Sequence, residues 1–455
     1  MSAGRIRSLA PSEQVFAMAG AYIGYRVRVR GAVDIAALAE AFALLRRRYP
    51  VLAAVLEPEG AGHVIVARPG PLPGVVVSVG DIDAGVSGVC AEQHRALSGL
   101  HVAVDGERAA VTLFTHHSIA DGYHSFALLA DLWSLYTDTV GGEPVDTIVW
   151  DYPESLEKVL ADRGIIKADN DIPAEPAEPA EPAEPAEPAE PAEPAEPAEP
   201  AEPVELAEPV EPAVEDGATA EVPGMPPASR AERIFTPAAA RFRLEADATA
   251  ALLAYARRHE TTLNGVVSAA ILRVESELRG VAPERIKYTY AVNLRNRVSP
   301  VVPNPAATDP LGFAGFVPSG DLEDIAMVAR AVTEELRKGL DSKEIHQAGL
   351  SFFDTMRAAV AQLLQMPEEE RPIGVVSTNW GVVPPLRAPA QLEFEDFRSM
   401  MNEPAFDPDA PISPPGTWIL STFQDRLAIE LRGPFEVETA QKLVAAVESV
   451  LLTLG

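Results

Sequence analysis

Ten consecutive Pro-Ala-Glu triplets and a closing proline fill residues 173 to 203, and no compact domain can hold them. Proline at every third position removes backbone donors and forbids an α-helix. Apart from proline, alanine is the only apolar side chain in the run, so almost nothing can be buried to offset the entropy of ordering it. The glutamates repel one another and extend the chain. The expected state is polyproline II at about 3.1 Å per residue, roughly 95 Å for the whole run if fully extended. A segment of that length is not a loop within a domain. The chain therefore divides into a first half over 1–171, a disordered Pro/Ala/Glu linker over 172–229 and a second half over 230–455.

The formal net charge is −30, but the triplets carry ten glutamates and no base, which leaves about −20 on the rest. That balance argues against nucleic acid as a partner, because a phosphate footprint needs clustered Lys and Arg. Two basic features stand out locally: Arg26, Arg28 and Arg30 alternate along one strand, and Arg46, Arg47 and Arg48 end a helix. Each reads either as a solvated face or as a docking patch for an acidic carrier or a nucleotide phosphate. The single cysteine, Cys90, excludes an intramolecular disulfide and a multi-cysteine metal site, and fits a reducing compartment. No signal-peptide core opens the sequence and no run of 18 apolar residues spans a membrane. The expected location is the cytoplasm, with membrane contact restricted to the periphery.

Periodicity supplies the elements. In the first half, "YRVRVRG" (25–31) alternates as a half-buried strand, and Asp34 caps a helix whose stripe is Ile35, Leu38, Phe42 and Leu45. "VLAAVLE" (51–57) reads as the next strand. "HVAVDGERAAVTLFTHH" (101–117) is a hairpin turning at Asp105-Gly106. A helix follows Gly122. In the second half, "RFRLEAD" and "RIKYTYAVNLR" are strands, Thr262 caps a helix, and "IGVVSTNWG" (373–381) is a strand running into a polar turn. A hairpin and a helix close the chain. Each half mixes hairpins and helices without strict βαβ alternation, which points to α+β layers. Neither G-x-G-x-x-G after a strand nor a P-loop is present, so dinucleotide and nucleoside triphosphate sites have no support.

"LFTHHSIADGYHS" (113–125) packs three of the eight histidines and an aspartate onto a strand–loop–helix corner. A metal site, a catalytic base with its supporting cast and an inconsequential polar loop all compete for it. His116, His117, Asp121 and His124 could nominally supply metal ligands. Adjacent histidines on an extended segment point to opposite sides, however, and H-x-x-x-H on a helix is absent, so no metal is expected. For the same reason His116 and His117 cannot share one task. His124, one turn into the helix, reads as a surface or tunnel-wall residue.

Residues 116 to 122, H-H-S-I-A-D-G, match H-H-x-x-x-D-G. This resembles the chloramphenicol acetyltransferase-like superfamily: condensation domains, BAHD acyltransferases and polyketide-associated acyltransferases. "LAPSEQVFAMAG" and "FALLRRRYPVLAAVLE" resemble the superfamily's N-terminal entry, first helix and following strand. "VNLRNRVSP" (292–300) resembles the BAHD D-x-R-x-R segment, with Asn293 in place of the aspartate, and "STNWG" (377–381) stands where those enzymes carry D-F-G-W-G. The likeness covers both halves but not the repeat. It is nearest to polyketide-associated acyltransferases of the phthiocerol/phthiodiolone dimycocerosyl transferase type.

The resemblance implies two chloramphenicol acetyltransferase-like subdomains, mixed sheets with packed helices, forming a pseudodimer around a central cleft. It implies an O-acyltransferase that moves an acyl group from a thioester to an alcohol in lipid or polyketide ester biosynthesis. The donor would be acyl-CoA or an acyl carrier domain of a polyketide or fatty-acid synthase. The acceptor would be an alcohol or lipid, with no cofactor beyond the thioester itself. His117 would be the base and His116 structural. Asp121 would turn from the substrate to pair with an arginine of the other half, Arg295 first and Arg297 second. Gly122 would let the corner turn without a Cβ clash. Asn379 or Trp380 would donate to the oxyanion or line the tunnel. The chemistry suits these residues, because an imidazole with a pKa near 6.5 can take a hydroxyl proton at neutral pH. Two alternatives stay open: an amide-forming condensation enzyme, and a non-catalytic binding protein of the same fold.

Overall fold

The computed structural model describes residues 4–68, 70–145, 148–168, 234–402 and 414–455; the expected linker over 172–229 lies outside the described residues. The first half runs β1 (Gly4–Ser8), α1 (Pro11–Ala19), β2 (Tyr22–Arg30), α2 (Ile35–Arg48), β3 (Ala54–Glu59), β4 (Gly62–Ala67), β5 (Val75–Val79), β6 (Ser98–Asp105), β7 (Arg108–His116), α3 (Gly122–Gly141) and α4 (Leu156–Ala161). The second half runs β8 (Ala240–Arg243), α5 (Ala246–Arg258), α6 (Leu263–Arg279), β9 (Ile286–Asn293), β10 (Leu311–Phe316), α7 (Ile325–Asp341), α8 (Glu344–Leu350) and α9 (Phe352–Gln365). It ends with β11 (Ile373–Val382), β12 (Glu393–Met401), β13 (Gly416–Phe423), β14 (Arg426–Arg432) and α10 (Val437–Leu452).

Local chemistry sets these elements. Asp34 accepts from the Ala37 N–H at 3.0 Å and caps α2; Thr262 accepts from Gly265 N–H at 3.0 Å and caps α6. Each cap is worth about 1 kcal/mol. The hairpin β6–β7 turns at Asp105-Gly106, with Gly106 at φ +57°, and carries the chain to His116. Its buried face packs Leu113 and Val111 against Trp133, Leu129 and Leu132 of α3 and Leu38 and Phe42 of α2. Each such side chain contributes roughly 1.5–3 kcal/mol on full burial.

Two mixed sheets carry the fold. One has the order β12-β2-β7-β6-β5, the other β10-β9-β11-β13-β14-β8, and a small antiparallel sheet β1-β4-β3 stands beside the first. Pairing is parallel for β5–β6, β9–β11 and β11–β13 and antiparallel elsewhere. The halves exchange pieces. β12, from the second half, is the edge strand beside β2, with Arg398 opposite Arg26. In return Leu156, Val159 and Leu160 of α4 pack into the core of the second half.

Three expectations change. Residues 50–53 form a 3-10 turn before β3, because Pro50 starts a turn at the end of α2 rather than an extended run. The polar "STNWG" stretch is not a turn: β11 continues to Val382, pairing with β13 through a register shift after Asn379, where Gly381 adopts φ +78°. Its polar residues are tolerated there because Ser377 is buried against the Tyr288 hydroxyl at 2.6 Å. The basic features are neither solvated nor free for docking at three positions. Arg26 is 1% exposed and donates to the Ile82 and Ala84 carbonyls; Arg28 is buried and pairs with Asp83; Arg46 is buried and donates to Ser98 and the Pro73 carbonyl. Among the described residues no helix is long and apolar enough to cross a membrane.

Candidate active site

The motif begins where β7 ends. His116 is the last residue of the strand, opposite Tyr22 of β2, and its ring is fully buried. The Ser118 N–H donates to its Nδ1 at 3.2 Å, which leaves the proton on Nε2, and Nε2 donates to Gln93 Oε1 at 3.1 Å. Tyr22 meets the ring edge-on at 4.7 Å. His116 is thus a fastener of the loop, with both nitrogens committed.

His117 follows with its ring turned the other way. Its N–H is anchored to the Ala21 carbonyl at 2.8 Å, and its ring stacks on Phe16 of α1 at 3.9 Å and 4°. The side chain keeps 18% of its surface exposed. Nδ1 has no partner in hydrogen-bond geometry; Asp309 Oδ2 stands 3.7 Å away. Burial lowers the pKa of this imidazole, against the raising influence of its own carbonyl and the Asp121 charge. The ring is therefore neutral at pH 7, the form in which it can accept a proton.

Asp121 divides its two oxygens. Oδ1 accepts from the His124 N–H at 2.9 Å and caps α3, while Oδ2 pairs with Nη1 of Arg295, just past β9. Arg295 is 2% exposed and also donates to the Ala307 carbonyl at 3.0 Å. Arg297, the second candidate, is exposed and makes no such pair. Asn293 accepts from the Arg295 N–H at 3.0 Å and so shapes the turn that presents the guanidinium.

The remaining expected residues fall differently. Gly122 is not needed for the turn, since its φ is not positive; a Cβ there would stand 3.4 Å from the Trp380 indole. Trp380 is 5% exposed and packs among Tyr25, Phe126 and Phe397. Asn379 donates to Asn264 at 3.2 Å and accepts from Gly381 N–H at 2.8 Å. His124 is fully buried rather than on a surface or tunnel wall. The carbonyls of Ala307 and Ile119 lie near its ring without reaching hydrogen-bond geometry, and burial first, then the Arg295 charge, push its pKa down to about 3.

Several residues at the site escaped the sequence reading. Buried Glu13 receives a fork from Arg7 at 2.6 and 2.7 Å and the Thr308 hydroxyl at 2.7 Å, and its carbonyl accepts from Ser118 Oγ at 2.8 Å. Asp121 N–H donates to the Thr308 carbonyl at 2.9 Å. These bonds lock α1, the motif loop and the stretch before β10 together. Glu13 and Phe16 lay inside the quoted "LAPSEQVFAMAG"; Thr308 and Asp309 carried no signal. Among the described residues, no three His, Cys, Asp or Glu side chains converge as a metal cradle would require.

Residues 234–432 match the family described as phthiocerol/phthiodiolone dimycocerosyl transferase C-terminus. Over 453 residues, 99% of this chain and 96% of the relative, the sequence is 31% identical to the phthiocerol/phthiodiolone dimycocerosyl transferase of Mycobacterium ulcerans. The chain belongs to this family. The solved structure of polyketide synthase associated protein 5 from Mycobacterium tuberculosis is similar at TM-score 0.72 and 28% identity, covering 99% of this chain and 97% of that one. A trichothecene 15-O-acetyltransferase from Fusarium sporotrichioides shares the fold at TM-score 0.58 and 10% identity, covering 99% and 95% of the two chains. As a member of the dimycocerosyl transferase family the protein is an acyltransferase of lipid biosynthesis, with the two-subdomain fold of the chloramphenicol acetyltransferase-like enzymes.

Proposed function

We propose that the chain transfers an acyl group from a thioester to an alcohol, with His117 as general base. The observation that carries this reading is the contrast at the motif: His116 has both ring nitrogens bonded, whereas His117 is neutral, partly exposed and uncommitted at Nδ1. In the proposed cycle His117 Nε2 takes the hydroxyl proton as the alcohol oxygen attacks the thioester carbonyl. The tetrahedral oxyanion collapses and expels a thiolate, which recovers the proton from the imidazolium. No acyl-enzyme is invoked. The nearest hydroxyl in sequence, Ser118, is committed to the Glu13 carbonyl.

Asn379 keeps one amide proton beyond the one given to Asn264, and we assign it the oxyanion; Trp380 is assigned to the wall beside Gly122. The donor is proposed to be acyl-CoA or a carrier-bound acyl chain, with no cofactor beyond that donor thioester. The names of the relatives favour long-chain diol acceptors such as phthiocerol. The cytoplasm is the proposed setting. A panel of acyl-CoA donors, each with and without a set of long-chain alcohols, tests the reading by thiol release and mass spectrometry of the product. Thiol release that depends on the alcohol and matches ester formed supports it. Ester absent across the panel, or amide formed from amines in preference, counts against it.

A further inference from the structure

Asp309 lies in the second half, just before Pro310 and two residues ahead of β10. Its side chain is 4% exposed, and its Oδ2 faces His117 Nδ1 across the halves at 3.7 Å. His117 Nδ1 and Asp309 Oδ1 are buried and lack hydrogen-bond partners. Leaving such groups unmade costs stability, and here the unbonded Nδ1 stands beside the carboxyl that could receive its proton.

The surrounding charges sharpen the point. Asp121 is matched by Arg295, and Glu13 by Arg7. Glu157 of α4 accepts from the Ser12 N–H and hydroxyl at 2.8 Å. Tyr25 of β2 completes the titratable groups around the carboxyl. Among the described residues Asp309 alone of these acids has neither an arginine in salt-bridge contact nor a hydrogen-bond donor; the nearby Arg295 charge pulls its pKa down but is held by Asp121. Burial and the Asp121 charge raise its pKa well above the usual carboxylate range. Among the described residues the imidazole is the one basic group within salt-bridge range of its carboxyl.

We infer that Asp309 is the positioning residue of the base: its Oδ2 accepts a hydrogen bond from His117 Nδ1–H during turnover, fixing the tautomer that leaves Nε2 free for the acceptor hydroxyl. The rival acceptor is the carbonyl of His117 itself. A small side-chain rotation brings 3.7 Å into the ordinary 2.7–3.2 Å range. The ring cannot tip far, because Phe16 stacks on one face of it. The inference rests on His117 being the base.

The test compares Asp309→Ala, Asp309→Asn and His117→Ala in the full chain with the acyl-CoA and alcohol that react fastest. Asp309→Ala should lower kcat by about 10–100-fold, as expected for a misplaced catalytic group, with KM for each substrate within about threefold. Asp309→Asn, whose amide oxygen still accepts, should recover about tenfold of that loss. In ¹⁵N spectra the His117 ring, identified by its loss in His117→Ala, should be an Nδ1–H tautomer in the parent protein and a mixture in Asp309→Ala. An Asp309→Ala enzyme with the parent's kcat and tautomer, or an Asn variant no better than Ala, would overturn the inference. Full rate in His117→Ala would instead remove the reading of the base on which it rests.

Discussion

Two pairs of side chains join the halves within one motif, and they are built in opposite ways. Asp121 and Arg295 are in direct contact, nearly without exposure, with the spare carboxylate oxygen on a helix cap and a spare guanidinium nitrogen on a carbonyl. His117 and Asp309 stand 3.7 Å apart, one partly open to solvent, with polar atoms unmatched. The first pair spends both carboxylate oxygens and both terminal guanidinium nitrogens on holding the loop, leaving only Arg295 Nε unbonded. The second holds capacity in reserve, which is what a group that must move a proton requires.

The largest expected effect comes from breaking the closed pair. Arg295→Met leaves the Asp121 carboxylate buried without its cation and should cost about 3–5 kcal/mol, measured by urea unfolding. Activity should fall with it. Asp121→Asn, which can still cap α3, should cost less. Equal stability in Arg295→Met and the parent would mean that the pair does not hold the loop. Next in size is His116→Ala, which removes the bonds to Ser118 and Gln93 and the contact with Tyr22. It should lower stability by about 1–3 kcal/mol, and melting temperature and rate should fall together.

His117, His124 and His101 all have folded pKa values below the unfolded value of about 6.5, the last two at about 3 and about 4, mainly through burial. Below that pH the unfolded chain binds more protons, so stability should fall as pH drops from about 6.5 toward 4, by at most about 1.4 kcal/mol per pH unit for each histidine. Asp309 has the opposite sign. Its folded pKa is raised, so its contribution is present at low pH and lost as pH rises above the unfolded carboxylate value. Asp309→Asn should therefore gain stability relative to the parent between pH 4 and pH 7. Parallel stability curves for the two proteins across that range would show that Asp309 ionises normally. The smallest effect is expected of Gly122→Ala: its φ is ordinary and the added Cβ only touches Trp380, so stability should change by less than about 1 kcal/mol.

Legibility followed the range of the forces involved. The hairpin to His116 was readable because alternation and Asp105-Gly106 are local signals, and the Asp121–Arg295 pair was readable because the motif names one partner and "NLR" offers the other. Arg26 was misread because alternation assigns a face but not what covers it; the 82–84 stretch does. "STNWG" was misread because Ser, Thr and Asn resemble a turn unless the Tyr288 hydroxyl that receives Ser377 is known. Nothing local in β12 says that it joins the sheet of the other half. Asp309 was invisible for the same reason: its partner is 192 positions away in sequence and its significance lies in the bonds that it lacks.

His117, and not His116, handles the proton in the proposed cycle. The most direct test of that role is the single-turnover rate of thiol release and ester formation in His117→Ala, measured beside the melting temperature of the same protein. The rate should fall by about 10²–10⁴-fold with melting unchanged, since the ring is stacked but carries no bond that holds the loop. A His117→Ala protein that turns over at the parent rate, or one that loses activity only because it unfolds, would contradict that role.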